Sequence, residues 1–303
     1  MLINELVSVT LRQSAPLMFS AYGGAFTYHV GAINIAMEAE ILLSAFASIV
    51  VTAKSGSVFL GAISAMLSAV LVGLLFSFLT EKLLAHIVTV ALGLNTLAFA
   101  ITRLLMWMFG GTRGVLAPEN LPMLPTLSLP RFERVPVIGG MTGHTVLVYF
   151  AWVACLITTL ILYFTKLGLR IRAVGENTEA ARATGINTLA VRVYAQMLCG
   201  VFCGLAGAQL ALGDLRLFTS RISAGKGFIA LAAIYFGRGR PALMTFACLI
   251  FGFFDGLQSR LQLWAQVPPQ MAQALPFVTV VFALVIISYL ATRKRESVWR
   301  EQK

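Results

Sequence analysis

The chain has 303 residues, of which 58% are hydrophobic and only 12% are charged, and its mean hydropathy is +0.85. Soluble domains carry about 25% charged residues, so this composition excludes an ordinary soluble protein and predicts an all-α membrane protein. The net charge of +11 is then expected to mark the membrane ends of helices, not a surface that binds nucleic acid.

The first 110 residues predict four membrane-spanning segments. Apolar runs of about 20 residues or slightly more, the length that a spanning helix needs, occupy 6–28, 32–53, 58–80 and 85–109. Arg12, Pro16 and the pair Gly23-Gly24 interrupt the first run, which we expect to form a shortened or irregular span. The residues 29–31 make a break before the second run.

The rest of the chain adds a long loop and further spans. The region 110–143 is too rich in proline for a helix and is predicted to be an external loop. Spans are predicted at 145–165, 193–213, 242–264 and 270–292, while 227–236 is too short to cross and is predicted to be a re-entrant half-helix or the tail of a tilted span. Together the runs predict a bundle of about 8–10 spans, some interrupted, in one transmembrane domain over 1–303.

The polar segment 166–192 lies between two spans and is predicted to be a cytoplasmic loop. It carries five basic residues, Lys166, Arg170, Arg172, Arg182 and Arg192, and such residues collect on the cytoplasmic side. Asn177 or Thr178 is a candidate N-cap, good helix formers follow, and Gly185 is a candidate C-cap, so a helix of about two turns is expected at 176–183. On charge alone, an ordinary solvated loop remains the alternative.

Several polar side chains fall inside apolar runs. A charge at membrane depth costs about 2.5–3.5 kcal/mol, so such groups need partners, water or a function. Asn34 and Glu38 are four residues apart, on one face of the predicted second helix, and follow a helix break, which is how many transporters build a pathway. Asn95 and Gln209 are further candidates for a substrate pathway, with interhelical hydrogen bonding as the alternative; Asp255 and Arg260 are expected to form a structural ion pair or to lie at the interface.

No catalytic pattern occurs in the sequence. There is no GxxxxGK[ST] loop for ATP and no HExxH, and the cysteines, all within apolar runs, are interpreted as packing residues and not as metal ligands. We therefore expect a chain that is not an enzyme and that binds no cofactor or metal itself.

The segment 168–186, GLRIRAVGENTEAARATGI, closely resembles the cytoplasmic coupling loop of ABC importer permeases in the ribose, nucleoside and branched-chain amino acid group. The matching positions are Gly168, Leu169, Arg170, Arg172, Ala173, Gly175, Asn177, Ala180, Ala181, Gly185 and Ile186. The resemblance implies that 176–183 inserts into a groove of a separate ABC ATPase subunit. It assigns the coupling role to Arg172, Gly175, Glu176, Asn177, Glu179, Ala180 and Gly185.

Two more blocks extend the resemblance to residues 15–290. In GAINIAMEAE at 31–40 the family positions Gly31, Asn34, Ile35 and Glu38 match, whereas Ala36 and Ala39 replace the usual glycines. The block 225–241 matches at Gly225, Gly227, Phe228, Ala230, Leu231, Ala232, Gly237 and Pro241, which adds Phe228 to the candidate pathway.

The chain is most similar to the nucleoside-type permeases of this group. That likeness implies a bacterial inner-membrane protein that works with an ATPase using ATP and Mg, a second permease subunit, the same or related, and an extracytoplasmic substrate-binding protein. A sugar or branched-chain amino acid permease is the alternative within the group, and a self-sufficient secondary transporter is the alternative outside it.

Overall fold

The computed structural model describes residues 2–111, 114–118, 121–127, 139–264 and 278. Within these ranges the α-helices are α1 (Leu2–His29), α2 (Met37–Ser55), α3 (Val58–Ser77), α4 (Ile87–Gly110), α5 (Val146–Phe164), α6 (Lys166–Glu176), α7 (Thr178–Ala183), α8 (Thr188–Ala208), α9 (Lys226–Phe236) and α10 (Pro241–Trp264). Two π-helical segments, Phe78–Lys82 and Gln209–Leu215, continue α3 and α8.

The fold is an all-α membrane bundle, as the sequence predicts. Five of the described helical segments are long and apolar enough to cross a membrane: Val58–Lys82, Ile87–Phe109, Val146–Phe164, Thr188–Leu215 and Pro241–Gln258. Helices α1 and α2 are largely buried among them, because α1 packs on α5, α8, α9 and α10, and α2 packs on α3, α4 and α8. The chain is therefore a multi-pass membrane protein.

Small residues set the closest helix contacts. Gly200 and Gly204 of α8 lie against the backbone of α3 at Val70 and Met66, and Gly252 of α10 lies against Ser14 of α1. An added Cβ at these glycines would come within 2.5–2.7 Å of α3 or α1 atoms. This is the close approach that small residues allow between membrane helices.

The first helix corrects one prediction. α1 runs without interruption through Pro16 and through Gly23-Gly24, so it is neither shortened nor irregular. A Cβ at Gly23 would lie 2.8 Å from the carbonyl oxygen of Cys199 on α8. The glycines are thus contact residues, and tertiary packing outweighs their low helix propensity.

The second helix begins five residues later than predicted. Residues 32–36 are not helical, and α2 starts at Met37. The Asn34 carboxamide oxygen accepts a hydrogen bond from the Ala36 N–H at 2.8 Å, a local bond that competes with helix formation. Asn34 and Glu38 therefore do not share a helix face, contrary to the prediction.

The segment 166–192 is helical over most of its length, not a loop. α6 ends at Glu176, and Asn177 caps α7 by accepting the Ala180 N–H at 3.0 Å, as predicted. α7 has six residues and ends before Gly185, whose φ of +82° and whose hydrogen bond to the Arg182 carbonyl terminate the helix. α8 then begins at Thr188, five residues before the predicted span.

Helix α9 fits the predicted half-helix. Its 11 residues span about 16 Å, roughly half of a bilayer core. Gly225 precedes it with a φ of +81°, a conformation that glycine adopts without strain. The predicted last span, 270–292, lies outside the described residues except for Val278, as do parts of the proline-rich loop.

The bundle has two distinct ends. The α6–α7 end also contains the last residues of α1, because a Cβ at Gly175 would meet the His29 carbonyl. The turn between α9 and α10 lies at the same end, because the Gly239 carbonyl is 3.0 Å from His29 Nε2. The loop end contains β1 (Val115–Leu116) paired with β4 (Phe218–Thr219), and β2 (Thr126–Leu127) paired with β3 (His144–Thr145), both antiparallel.

Candidate functional site

Helices α2 and α9 begin inside the bundle, and their first turns meet at Glu38. One carboxylate oxygen of Glu38 accepts the Gly225 N–H at 2.9 Å, and the other accepts the Gly227 N–H at 2.8 Å. A negative group at a helix N-terminus satisfies free N–H donors and interacts favourably with the helix dipole. We call Asn34, Glu38, Glu40 and Asn95, which surround this junction, the polar centre.

Asn95 of α4 fixes the start of α2. Its carboxamide oxygen accepts the Ala39 N–H at 3.0 Å, and its NH₂ group donates to the Ile35 carbonyl at 3.4 Å. The side chain therefore bonds to the backbone on both sides of the point where the helix begins. Asn34, Glu38 and Asn95 were selected from the sequence, and the structure brings all three to one junction.

Glu40 is a member of the polar centre that sequence reasoning left without a role. It is fully buried, and its oxygen Oε1 accepts hydrogen bonds from Asn34 at 2.7 Å and from Gln196 at 3.3 Å. Its carboxylate and the thiols of Cys199 and Cys203 lie within 4.8 Å of one another, a donor set that a metal ion could use. In this structure the same atoms bond to each other, since the Cys199 thiol donates to Glu40 Oε2 at 3.8 Å.

Gln209 lies away from this junction, whereas Phe228 is in the first turn of α9. Gln209 follows Cys199 by ten residues, about 15 Å along the helix, and accepts a hydrogen bond from the Thr145 hydroxyl at 2.8 Å near the loop end. It also donates to Asp214 at 3.2 Å. Phe228 follows Gly227 on α9, and its side chain is 40% exposed.

The buried charge at the start of α9 has a partner that the sequence did not suggest. Lys226 Nζ forms an ion pair with Asp255 of α10 and donates to Gln13 of α1 at 3.3 Å. Asp255 is thus paired with Lys226, while the side chain of Arg260, its predicted partner, lies outside the described residues. The pair joins α9 to α10 across 29 positions of sequence.

The predicted coupling residues lie together on α6 and α7. Glu176, Asn177, Glu179 and Ala180 are exposed, and so is Gly185. Arg172 is partly buried and lies over the Tyr163 ring, 5.2 Å from its centroid. A Cβ at Gly175 would lie 1.9 Å from the His29 carbonyl oxygen, so α6 contacts the end of α1 at backbone distance.

The loop end is held by side-chain and short-strand contacts. Lys54 lies over the Phe109 ring at 4.5 Å, and a cavity of about 500 Å³ next to it is lined by β1. The buried His144 ring donates from Nε2 to the Gly140 carbonyl at 2.9 Å. Burial lowers the pKa of His144, because the charged imidazolium loses hydration.

Comparison with known protein families shows which family this chain belongs to. The family model described as "Branched-chain amino acid transport system / permease component" matches residues 6–284. The chain belongs to this permease family. Membership makes the chain a membrane transport component.

Two relatives in this permease family resemble the chain over nearly its whole length. It is 31% identical to the nucleoside ABC transporter permease protein NupC of Lactococcus lactis, covering 94% of this chain and 92% of that protein. It is 32% identical to the guanosine ABC transporter permease protein NupQ of Bacillus subtilis, covering 93% and 92%.

A solved structure has the same fold. It is an ABC transporter described as of metal-chelate type in an inward-facing conformation, with a TM-score of 0.50 at 18% identity over 93% of this permease and 85% of that chain. At this identity the likeness concerns the fold alone.

Proposed function

We propose that this permease is the transmembrane subunit of an ABC importer that moves a nucleoside, or a related small solute containing a sugar, into the cell. The observation that carries the substrate class is the likeness, over more than nine-tenths of the chain, to relatives named for nucleoside and guanosine transport. The chain works as a single transmembrane domain over residues 1–303.

The driving force comes from a separate ABC ATPase subunit. Because the sequence lacks the GxxxxGK[ST] loop, ATP and Mg would bind the partner and not this chain. The exposed side chains of Glu176, Asn177 and Glu179, with Ala180, form the contact with that partner. Their placement at one end of the bundle, on a helix that projects from the long helices, supports this role.

Transmission into the bundle begins where Gly175 meets the end of α1. When ATP draws two ATPase subunits together, α6 and α7 move with them, and α6 displaces the His29 carbonyl region. The non-helical residues 32–36 follow directly, and they lead into the polar centre. Interrupted helices of this kind change access to a site without unfolding the bundle.

The polar centre suits an uncharged solute. The N–H groups of Gly225 and Gly227, which a transporter could offer to an anionic substrate, are held by the protein's own Glu38 carboxylate. Asn34 and Asn95 can exchange hydrogen bonds with hydroxyl groups and base edges when the centre opens. Gln209 and Phe228 extend the pathway, with Gln209 nearer the loop end.

The remaining partners follow from the permease role. A second permease subunit, the same or related, completes the pathway, and an extracytoplasmic substrate-binding protein delivers solute at the loop end. The α6–α7 end then faces the cytoplasm, in agreement with its five basic residues, and the complex lies in a bacterial inner membrane.

Uptake by the complete transporter tests the proposal. The permease, its ATPase subunit and the second permease are reconstituted in proteoliposomes with the binding protein, and uptake of radiolabelled guanosine is measured with and without ATP. We expect ATP-dependent accumulation that unlabelled nucleosides inhibit and that ribose and leucine do not. A complex with the P-loop lysine of the ATPase replaced is the control, and it should not accumulate guanosine.

Two outcomes contradict the proposal. Uptake driven by an ion gradient in the absence of ATP would make the protein a secondary transporter. ATP-dependent uptake of ribose or leucine without uptake of any nucleoside would leave the ATP-driven mechanism intact and refute the substrate class.

A further inference from the structure

We propose that Arg192 is the positioning residue that ties α7 to the transmembrane helices, so that movement of α7 is transmitted to α3 and α8. The proposal rests on the proposed function, since it assumes that α7 receives force from an ATPase. Arg192 lies outside the segment 168–186 that resembles the family's coupling loop.

One guanidinium group joins three elements of the fold. Arg192, in the first turns of α8, donates from Nη1 to Glu81 Oε2 at 2.7 Å and from Nη2 to the Thr178 hydroxyl at 3.3 Å. Glu81 belongs to the π-helical end of α3, and Thr178 is the first residue of α7. The Thr178 hydroxyl donates its own proton to the Val174 carbonyl at 2.9 Å, so its oxygen is free to accept from Arg192.

Burial and side-chain chemistry make this contact different from a surface ion pair. The Arg192 and Glu81 side chains are 27% and 13% exposed, so solvent screens the pair only partly. The planar guanidinium presents five N–H donors in a rigid fork and can hold two partners at a fixed angle. A lysine ammonium at the same place could satisfy one partner well, but not both in this geometry.

The contact continues toward the polar centre. A cavity of about 10 Å³, room for roughly one water molecule, is lined by Glu81, Arg192, Ser77 and Gln196. Gln196 lies one helical turn after Arg192 and donates to Glu40, which also holds Asn34. Polar side chains therefore lie in succession from the start of α7 to the break before α2, with this cavity between Arg192 and Gln196.

The polar connection at Arg192 includes a π-helical segment whose backbone conformation can change. A π turn accommodates an extra residue within a helix, and such turns occur often at functional sites. Phe78–Lys82 adopts this form where Glu81 meets Arg192. Pulling Arg192 with α7 would act on this segment first, before the regular part of α3.

The test measures how many guanosine molecules enter per ATP hydrolysed in the reconstituted complete transporter. Arg192→Lys, Glu81→Gln and Thr178→Val are each expected to lower this ratio about 3- to 10-fold while ATP hydrolysis continues. Because they break one linkage, the double variant T178V/R192K should be no worse than R192K alone. Thr96→Val, whose hydroxyl bonds only to the Leu92 carbonyl of its own helix, is the matched control and should keep the wild-type ratio.

The proposal fails if R192K and E81Q form folded complexes that carry as many guanosine molecules per ATP as the wild type. It also fails if the fold-reduction in T178V/R192K equals the product of the reductions in the two single variants. If R192K does not assemble, the comparison of T178S with T178V tests the proposal. T178S keeps the hydroxyl and should keep the wild-type number of guanosine molecules per ATP, whereas T178V should lower it. Equal ratios in T178S and T178V overturn the proposal. Failure of the proposed function is seen separately, as ATP-independent guanosine uptake by the wild type.

Discussion

The two ends of this permease are joined to the bundle in different ways. At the α6–α7 end, neighbouring elements meet through the backbone at Gly175 and through the ion pair of Arg192 with Glu81. At the loop end, one ion pair, Arg12 with Asp214, and one close backbone approach, Gly140 to Asn4, are accompanied by two-residue strand pairs and by side-chain bonds such as Thr145 to Gln209. At the α6–α7 end a single guanidinium links three helical elements, and we expect this joint to transmit displacement. We expect the short strand pairs of the loop end to adjust locally, which suits an end where solute would arrive.

Replacing Gly175 should give the largest effect. Gly175→Ala places a Cβ within 1.9 Å of the His29 carbonyl oxygen, so the backbone must shift. We expect a loss of about 1–3 kcal/mol in the free energy of unfolding and loss of guanosine uptake. Unfolding of the purified permease in detergent and uptake by the complex provide the two measurements. Gly93→Ala is the control, since a Cβ there meets no atom within 4 Å; equal behaviour of the two variants would remove this joint from the account.

Changing Glu38 should act on transport at the polar centre. Glu38→Ala leaves the N–H groups of Gly225 and Gly227 without their acceptor, at a cost of about 1–2 kcal/mol. Glu38→Gln keeps one acceptor oxygen and should lie between E38A and the wild type. We expect uptake to fall in this order while the ATPase still assembles and hydrolyses ATP. Wild-type uptake by E38A would show that the first turns of α2 and α9 need no connection.

Gln209 tests the loop end. Gln209→Ala removes the bonds to Thr145 and Asp214, and we expect a stability loss of about 0.5–1.5 kcal/mol. If the pathway passes Gln209, half-maximal uptake should require more guanosine, while the number of molecules carried per ATP stays the same. A fall in that ratio as large as the one expected for R192K would erase the functional distinction between the two ends.

Lys54 should give the smallest effect. Lys54→Gln removes an exposed cation–π contact with Phe109, worth about 0.5 kcal/mol. Uptake and ATP hydrolysis should match the wild type within error, and only a slightly lower melting temperature is expected. A marked loss of transport would mean that this part of the loop end does more than hold α2 against α4.

Local patterns in the sequence predicted the helices and several of their ends. Apolar runs marked the long helices, the Asn177 side chain capped α7 as expected, and the short run 227–236 became the half-helix α9. These features depend on neighbouring residues, so they can be read from one stretch of chain. Asn34 and Glu38 were selected because they follow a helix break, and Asn95 because it is a polar residue within another apolar run.

Contacts between distant residues could not be predicted in the same way. Pro16 and Gly23 suggested an interruption, but α8 packs on Gly23 and α1 stays intact. The same limit hid the partners of Glu40, Lys226 and Arg192, which lie on other helices. Glu40 did carry a signal, because a second carboxylate two residues after Glu38 in an apolar run requires a partner.

The most direct test of the account is photo-cross-linking from α7 in the assembled transporter. Cysteine is placed at exposed Glu179, in a Cys155→Ser background, and labelled with a maleimide that carries benzophenone. The account predicts a covalent product with the ATPase subunit, and none from the same label at Met123, which is 61% exposed in the loop region. An ATPase cross-link from Met123, or none from Glu179 in a complex that hydrolyses ATP, would contradict it.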